Sequence, residues 1–240
     1  MEADALLGEV NKPGRDVDVW CVNLDASAHA ADRYSGMLSD DERSRAQAFR
    51  YPDLKRKFTL ARGVLRVLIG RYLGVLPEAV AFRYNAAGKP ELSRGDSGLH
   101  FNVSHSGGLA AYGFAIAGEV GIDVEQVGPI PDLEAVAAAH FSAAECSELF
   151  AADPASRFEI FYRFWTRKEA YVKAVGSGLA IPLQSLDLGS CSSYSDAGRV
   201  WSVYGLAPPT GYAGALVVDG EGRDVRASSL ASADDALDLA

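Results

Sequence analysis

"FWTRKEAYVKAVGSG", residues 164–178, reads as a helix that runs into a glycine stop. Trp165, Glu169 and Lys173 stand four apart and so stack on one helical face. That face admits two readings. A glutamate followed by a lysine at i,i+4 stabilises an exposed helix by roughly 0.2–0.5 kcal/mol and needs no other purpose. Alternatively, the carboxylate and the ammonium serve a site, which needs partners from elsewhere in the chain.

"GIDVE", residues 121–125, offers the first. In a strand, residues two apart point the same way, so Asp123 and Glu125 share a face roughly 7 Å apart while Ile122 and Val124 turn to the core. Adjacent carboxylates repel unless water or a cation relieves them. A strand reaching the surface satisfies this. So does a hard divalent cation, because oxygen-only ligands select Mg²⁺ or Mn²⁺, with Glu169 available as the third carboxylate. The histidines His29, His100, His105 and His140 lack H-x-x-x-H spacing, which argues against zinc.

"FNVSHSGG", residues 101–108, sets Ser104, His105 and Ser106 after a strand and before two glycines. Small hydroxyl residues beside glycine let backbone N–H groups approach a phosphate, and the imidazole adds a donor that can become cationic. "AAGKPEL", residues 86–92, joins a glycine able to take positive φ to Lys89 and Pro90: an ordinary turn, or a lysine aimed at a nucleotide phosphate. No Walker A, dinucleotide glycine fingerprint or G-x-S-x-G elbow occurs, so a P-loop, a Rossmann site and serine hydrolysis find no support.

The 240 residues suit one large domain or two lobes, and no apolar run reaches the 18 or so residues needed to span a bilayer. "MEADALLGEVNKPG" carries acids where a signal peptide has a basic region, and three widely spaced cysteines form no C-x-x-C pair; a cytoplasmic protein with reduced thiols is expected. The net charge of −9 argues against a nucleic-acid binder. Yet nine of the 23 basic residues fall between Arg43 and Arg71, opposed only by Asp53, so this segment is +8 and the remainder −17. A solvated helix face explains part of that cluster; dense phosphate on a ligand or an acidic protein partner would explain the rest.

Along the chain, "DVDVWCVNL" alternates as a strand, and Ser39 with Glu42 forms a capping-box signature. Pro52 and Asp53 then start a long helix with Phe58, Leu65, Val67, Leu68 and Ile69 toward the core. Strands follow at "AVAFRY" and "LHFNVSH", then two more joined at Ala117-Gly118-Glu119. Beyond Pro129 and Pro131 come the helical "LEAVAAAHF", a second capping box from Ser142 to Glu145, and the long helix of the opening stretch. Strands are expected at "SLDLG", "RVWSVYGL" and "YAGALVVDG", and a loose tail over residues 226–240. The halves repeat this order. Laying "RKFTLARGVLRVLIG" over "YRFWTRKEAYVKAVG" matches Phe58 with Phe164, Arg62 with Lys168 and Gly70 with Gly176, which permits a duplication.

"GKPEL", "FNVSHSGG", "GIDVE" and "WTRKEAYVKAVGSGL", in that order and with "FSAAE" ahead of the last, resemble the 4'-phosphopantetheinyl transferases of the surfactin-synthetase-activating type over about residues 15 to 220. The resemblance implies an α+β protein of two similar lobes about a pseudo-twofold axis, each a small antiparallel sheet packed with helices. The active site would lie in the cleft between residues 1–118, on the coenzyme A nucleotide side, and residues 119–225, on the metal and pyrophosphate side. It implies transfer of the phosphopantetheine arm of coenzyme A to a serine of an apo acyl or peptidyl carrier protein by a monomer. Asp123, Glu125 and Glu169 would hold Mg²⁺, with Mn²⁺ a possible substitute, and Asp123 would also lie against the coenzyme. Lys173 would neutralise the pyrophosphate, with Trp165 anchoring their helix in the core. Gly88, Lys89 and Pro90 would line the adenine pocket, with Ser104, His105 and Arg45 near the 3'-phosphate. Either Glu145 or Glu169 would be the base. Glu42 and Phe58 depart from a basic residue and a hydroxyl found in some relatives, so Arg43 or Arg56 would supply the missing contact. The K-E-A triplet with Ala170 matches one of the family's two branches. A Mg²⁺-dependent hydrolase using the same acids and a non-catalytic carrier-binding module are the rival classes.

Overall fold

Val17, Val19 and Cys21 alternate as buried residues along a first strand, β1 (Asp16–Asn23). The computed structural model describes residues 16–26, 30–85, 88–93, 98–176 and 181–239; the N-terminal stretch read against a signal peptide, Ala86 and Ala87, and the Ser177-Gly178 end of the opening stretch lie outside them. Three helices follow β1: α1 (Ala30–Met37), α2 (Asp40–Gln47) and α3 (Pro52–Leu73). A short hairpin of β2 (Phe82–Tyr84) and β3 (Pro90–Leu92) leads to β4 (Leu99–Ser106) and β5 (Leu109–Ile116). The second half repeats the plan. β6 (Val120–Gln126) precedes α4 (Leu133–His140), α5 (Ala143–Ala151) and α6 (Arg157–Val175). Then come β7 (Ser193–Asp196), β8 (Arg199–Gly205) and β9 (Tyr212–Asp219). The order β1-β5-β4 in one sheet matches β6-β9-β8 in the other, all antiparallel.

The two capping boxes carry the same extra bond. At the start of α2, Ser39 N–H donates to Glu42 Oε2 at 3.0 Å, and at the start of α5, Ser142 N–H donates to Glu145 Oε2 at 2.8 Å. Both glutamates are 1% exposed, and each meets a cation from the long helix of its own lobe. Arg62 and Arg66 on α3 donate to the two oxygens of Glu42 at 2.5 and 2.6 Å, and Lys168 on α6 lies 2.8 Å from Glu145. Arg62 and Lys168 are the residues that the sequence overlay matches. The two halves therefore resemble each other in polar chemistry as well as element order.

Two expectations give way. Residues 185–189 are not a strand, because their backbone bonds to side chains instead of a ladder. Lys168 takes the Leu183 carbonyl at 2.7 Å and that of Leu186, Arg167 takes that of Leu188 at 2.9 Å, and Glu145 Oε1 accepts from Leu188 N–H at 3.1 Å. The strands β5 and β6 are joined at Ala117-Gly118-Glu119, as the sequence indicates, and enter different sheets. The chain after residue 225 is not loose: β10 (Asp224–Leu230) pairs in parallel with β1 and extends the first sheet. It feeds α7 (Ala233–Leu237), whose Ala233, Ala236 and Leu237 are buried in the first lobe's core, with Tyr34 Oη donating to the Ala233 carbonyl at 2.7 Å. No helix among the described residues is long and apolar enough to cross a membrane.

Gly121 decides where α6 lies. A Cβ there would stand 2.0 Å from the Ala170 carbonyl oxygen and 2.4 Å from the Ala174 nitrogen, both rigid backbone. Only glycine lets α6 rest on β6 this closely, which carries Glu169 and Lys173 onto the acidic strand.

The paired capping boxes generate a stability prediction. Removing one partner of a buried ion pair costs about 3–5 kcal/mol, since the other charge stays desolvated. Glu42→Ala and Glu145→Ala should each lower the melting temperature by on the order of 10 °C, given roughly 2–4 °C per kcal/mol in a chain of this size. Scanning calorimetry checks it, and a drop below about 2 °C would show that the pair does not brace its lobe.

Candidate active site

The lobes meet where β4 runs beside β6. The two strands share no backbone ladder among the described residues; their polar side chains make the seam. His100 Nδ1 lies 3.3 Å from Glu119 Oε1. Asn102 Oδ1 accepts from Ile122 N–H at 3.0 Å, Ser104 Oγ donates to Asp123 Oδ1 at 2.8 Å, and Ser106 Oγ donates to Glu125 Oε2 at 2.6 Å. Every second residue of β4 faces β6, as strand geometry requires. Sequence reasoning singled out Ser104 and left His100 and Asn102 aside. The signal was there: four polar side chains at period two on a strand whose other face is largely apolar.

Asp123 is the centre of the site. It is 2% exposed, Lys173 Nζ donates to its Oδ1 at 2.6 Å and to Ser104 Oγ at 3.1 Å, and its buried Oδ2 has no hydrogen-bond partner. Burial pushes the Asp123 carboxyl above the usual range, and Lys173 and Ser104 oppose that rise. Glu125 and Glu169 are also raised, mainly by burial, and the Asp123 charge raises both further. Lys173 thus reaches across to β6 rather than down its own helix to Glu169, and the simple i,i+4 pair is not what the helix makes.

The donor set suits a hard cation: three carboxylates within electrostatic reach of one another, and an orphaned buried oxygen on one of them. As the side chains stand, no three histidine, cysteine, aspartate or glutamate groups among the described residues converge closely enough to hold a metal ion. Lys173 and Ser104 occupy Asp123 Oδ1, and Ser106 occupies Glu125 Oε2.

Around this centre, His105 points from the end of β4 and is exposed. Partial desolvation, with the charges of Lys173 and Arg45 nearby, holds its pKa below the usual value. Arg45, on α2, also lies over the Phe58 ring at 5.6 Å. Gly88 takes φ +80°, the conformation its turn requires, and Pro90 opens β3. Lys89 Nζ donates to the Lys173 carbonyl at 2.9 Å, so the turn is tied to the end of α6. Lys89, Pro90, His100 and Glu119 line a cavity of about 260 Å³.

Two expected residues are elsewhere. Glu145 does not stand free as a base: it is buried, its oxygens taken by Ser142, Lys168 and Leu188. Arg56 is held by the Leu24 carbonyl at 2.7 Å and by Asp25 and Asp53. Arg43, the other proposed substitute, pairs with Asp40 and the Leu38 carbonyl. Glu42 is not a failed phosphate contact but the buried anchor of Arg62 and Arg66.

Because the folded state raises the Glu169 carboxyl above its unfolded value, it favours the protonated form. Stability is then lost as pH rises through the raised pKa. Glu169→Gln, measured without divalent metal, should raise the melting temperature at pH 7, with the gain shrinking as pH falls through the carboxylate range. A gain independent of pH would show that the charge is not the cause.

Comparison with known proteins agrees with this geometry. The profile of the 4'-phosphopantetheinyl transferase N-terminal region matches residues 25–118, and that of the 4'-phosphopantetheinyl transferase superfamily matches residues 119–215. The chain is 36% identical over 212 residues to 4'-phosphopantetheinyl transferase HetI of a Nostoc strain, covering 86% of this chain and 89% of that one. It is 43% identical over 122 residues to AcpT of Salmonella typhimurium, covering 51% of this chain and 61% of the relative. With Sfp of Bacillus subtilis it shares 31% identity over 157 residues, 65% of this chain and 68% of the relative. A likeness running through both lobes and the seam between them makes the chain a member of the 4'-phosphopantetheinyl transferase family.

Proposed function

We propose that the enzyme moves the 4'-phosphopantetheine arm of coenzyme A to a serine hydroxyl of an apo acyl or peptidyl carrier protein, with Mg²⁺, releasing adenosine 3',5'-bisphosphate. The observation that carries the reading is the buried Asp123 carboxylate, shared between Lys173 and Ser104 and short of a partner on its second oxygen. In this reading Asp123, Glu125 and Glu169 hold Mg²⁺, or Mn²⁺ in its place. When bound, the ion would offset their mutual repulsion and polarise the pyrophosphate.

Lys173 meets the negative charge that grows on the leaving phosphate. Ser104 and Asp123 hold its ammonium in place. His105 and Arg45 take the 3'-phosphate. Gly88, Lys89 and Pro90 border the adenine pocket, and the Lys89 bond to the Lys173 carbonyl ties that pocket to the reacting centre. With Glu145 consumed by its lobe, Glu169 is the carboxylate left to accept the serine proton. The K-E-A triplet at Lys168, Glu169 and Ala170, with the motif order across both lobes, supports the surfactin-synthetase-activating branch.

The test is to incubate the enzyme with coenzyme A, Mg²⁺ and a panel of apo-carriers and to weigh the products. A carrier gaining one phosphopantetheine, with adenosine bisphosphate released only in its presence, is expected. Bisphosphate released without any carrier would mark a hydrolase instead. Lys173→Ala should lower kcat by about 10²–10³, the loss typical of one electrostatic donor. A normal kcat would return Lys173 to a structural role.

A further inference from the structure

The basic segment posed a question that the fold divides. Of its nine cations, Arg43, Arg56, Lys57, Arg62 and Arg66 are paired with Asp40, Asp25, Asp53 or Glu42. Arg45, Arg50 and Lys55 form no ion pair among the described residues, and all three are exposed. They flank the turn from α2 to α3, where residues 47–55 are all exposed. That turn also presents three large apolar side chains to water: Phe49 is 36% exposed, Tyr51 59% and Leu54 47%. Such side chains are ordinary when scattered; gathered within six positions between unpaired cations, they mark an interaction surface.

The patch runs into the site. Phe49 packs on Phe58 with ring centroids 5.4 Å apart, and Arg45 lies over Phe58 and acts electrostatically on His105. Its complement is therefore anionic, carries an apolar spot, and brings its reacting group to the cleft. A nucleic acid fits poorly, because a long polyanion would run from the patch onto a surface that is otherwise strongly negative.

We propose that the α2–α3 turn is the docking surface for the carrier protein, whose acidic face meets Arg50 and Lys55 and whose apolar helix face meets Phe49, Tyr51 and Leu54. The inference rests on the transfer reading above and adds where the protein substrate sits. Exposed charges act mainly on encounter, and the apolar centre on residence.

The experiment uses two independent pairs of exposed residues, neither in the coenzyme site: Arg50→Glu with Lys55→Glu, and Tyr51→Ala with Leu54→Ala. Transfer is measured at saturating coenzyme A and Mg²⁺ while an apo-carrier is varied, at low and high salt. Each pair should raise the KM for carrier at least about tenfold while kcat and the KM for coenzyme A stay within about twofold, an effect confined to association. The charge-reversed pair should also lose the salt dependence of wild type. An unchanged carrier KM in both pairs, or a rise in the KM for coenzyme A instead, would overturn the docking surface and leave transfer standing. Wild type inactive on every carrier would overturn the transfer reading, and this surface with it.

Discussion

Ser104 on β4, bonded at the seam to both members of the Lys173–Asp123 ion pair of the second lobe, ties the first lobe to that buried charge. Withdrawing a carboxylate from water costs several kcal/mol unless charge and hydrogen bonds replace the lost solvation. Here the replacement comes from three elements at once: Lys173 from α6, Ser104 from β4, and the strand β6 itself. It is incomplete, because Oδ2 has no partner. That leaves a carboxylate oxygen free to accept a cation or a further hydrogen-bond donor.

The same plan is used twice, for different ends. In each lobe a capped helix is fastened to a long helix by a buried glutamate, which is scaffold. Above that scaffold the copies diverge. Where α6 carries Glu169, the overlay sets Gly63 on α3; where α6 carries Lys173, it sets Val67. A Cβ on Gly63 would meet the Tyr34 ring at 2.2 Å, so that helix is closed by tight packing. The second lobe turns the corresponding face onto β6, where Lys173 meets Asp123. Gly121 allows this by letting α6 lie directly on β6.

Much of this was legible because it is local. The capping boxes, the Pro52 start of α3, the Gly176 stop of α6 and the alternation in β1 are each written within a few residues, and the structure keeps them. The acids and the lysine of the site were also readable, since a strand places Asp123 beside Glu125 and a helix places Glu169 beneath Lys173. What could not be read depends on distant partners. Glu145 looks the same in sequence whether it serves a substrate or Lys168, and only the packing of α6 distinguishes the two. Residues 226–240 look loose because their apolar content is small. Yet alanines suffice where the first lobe offers a shallow surface, and the ladder partner of β10 lies some two hundred residues earlier.

That return of β10 to β1 makes the second lobe, in topology, an insertion into the first. During synthesis the sheet begun by β1 stays one strand short until the whole second lobe has been made. Its edge is an open template for stray pairing in the interval. Contacts of such sequence separation are entropically slow to close, so the lobe begun first is the one completed last. The late strand closes the edge opposite β4, so β1 and β5 stand between the last of the described strands to be made and the strand from which Ser104 reaches Asp123.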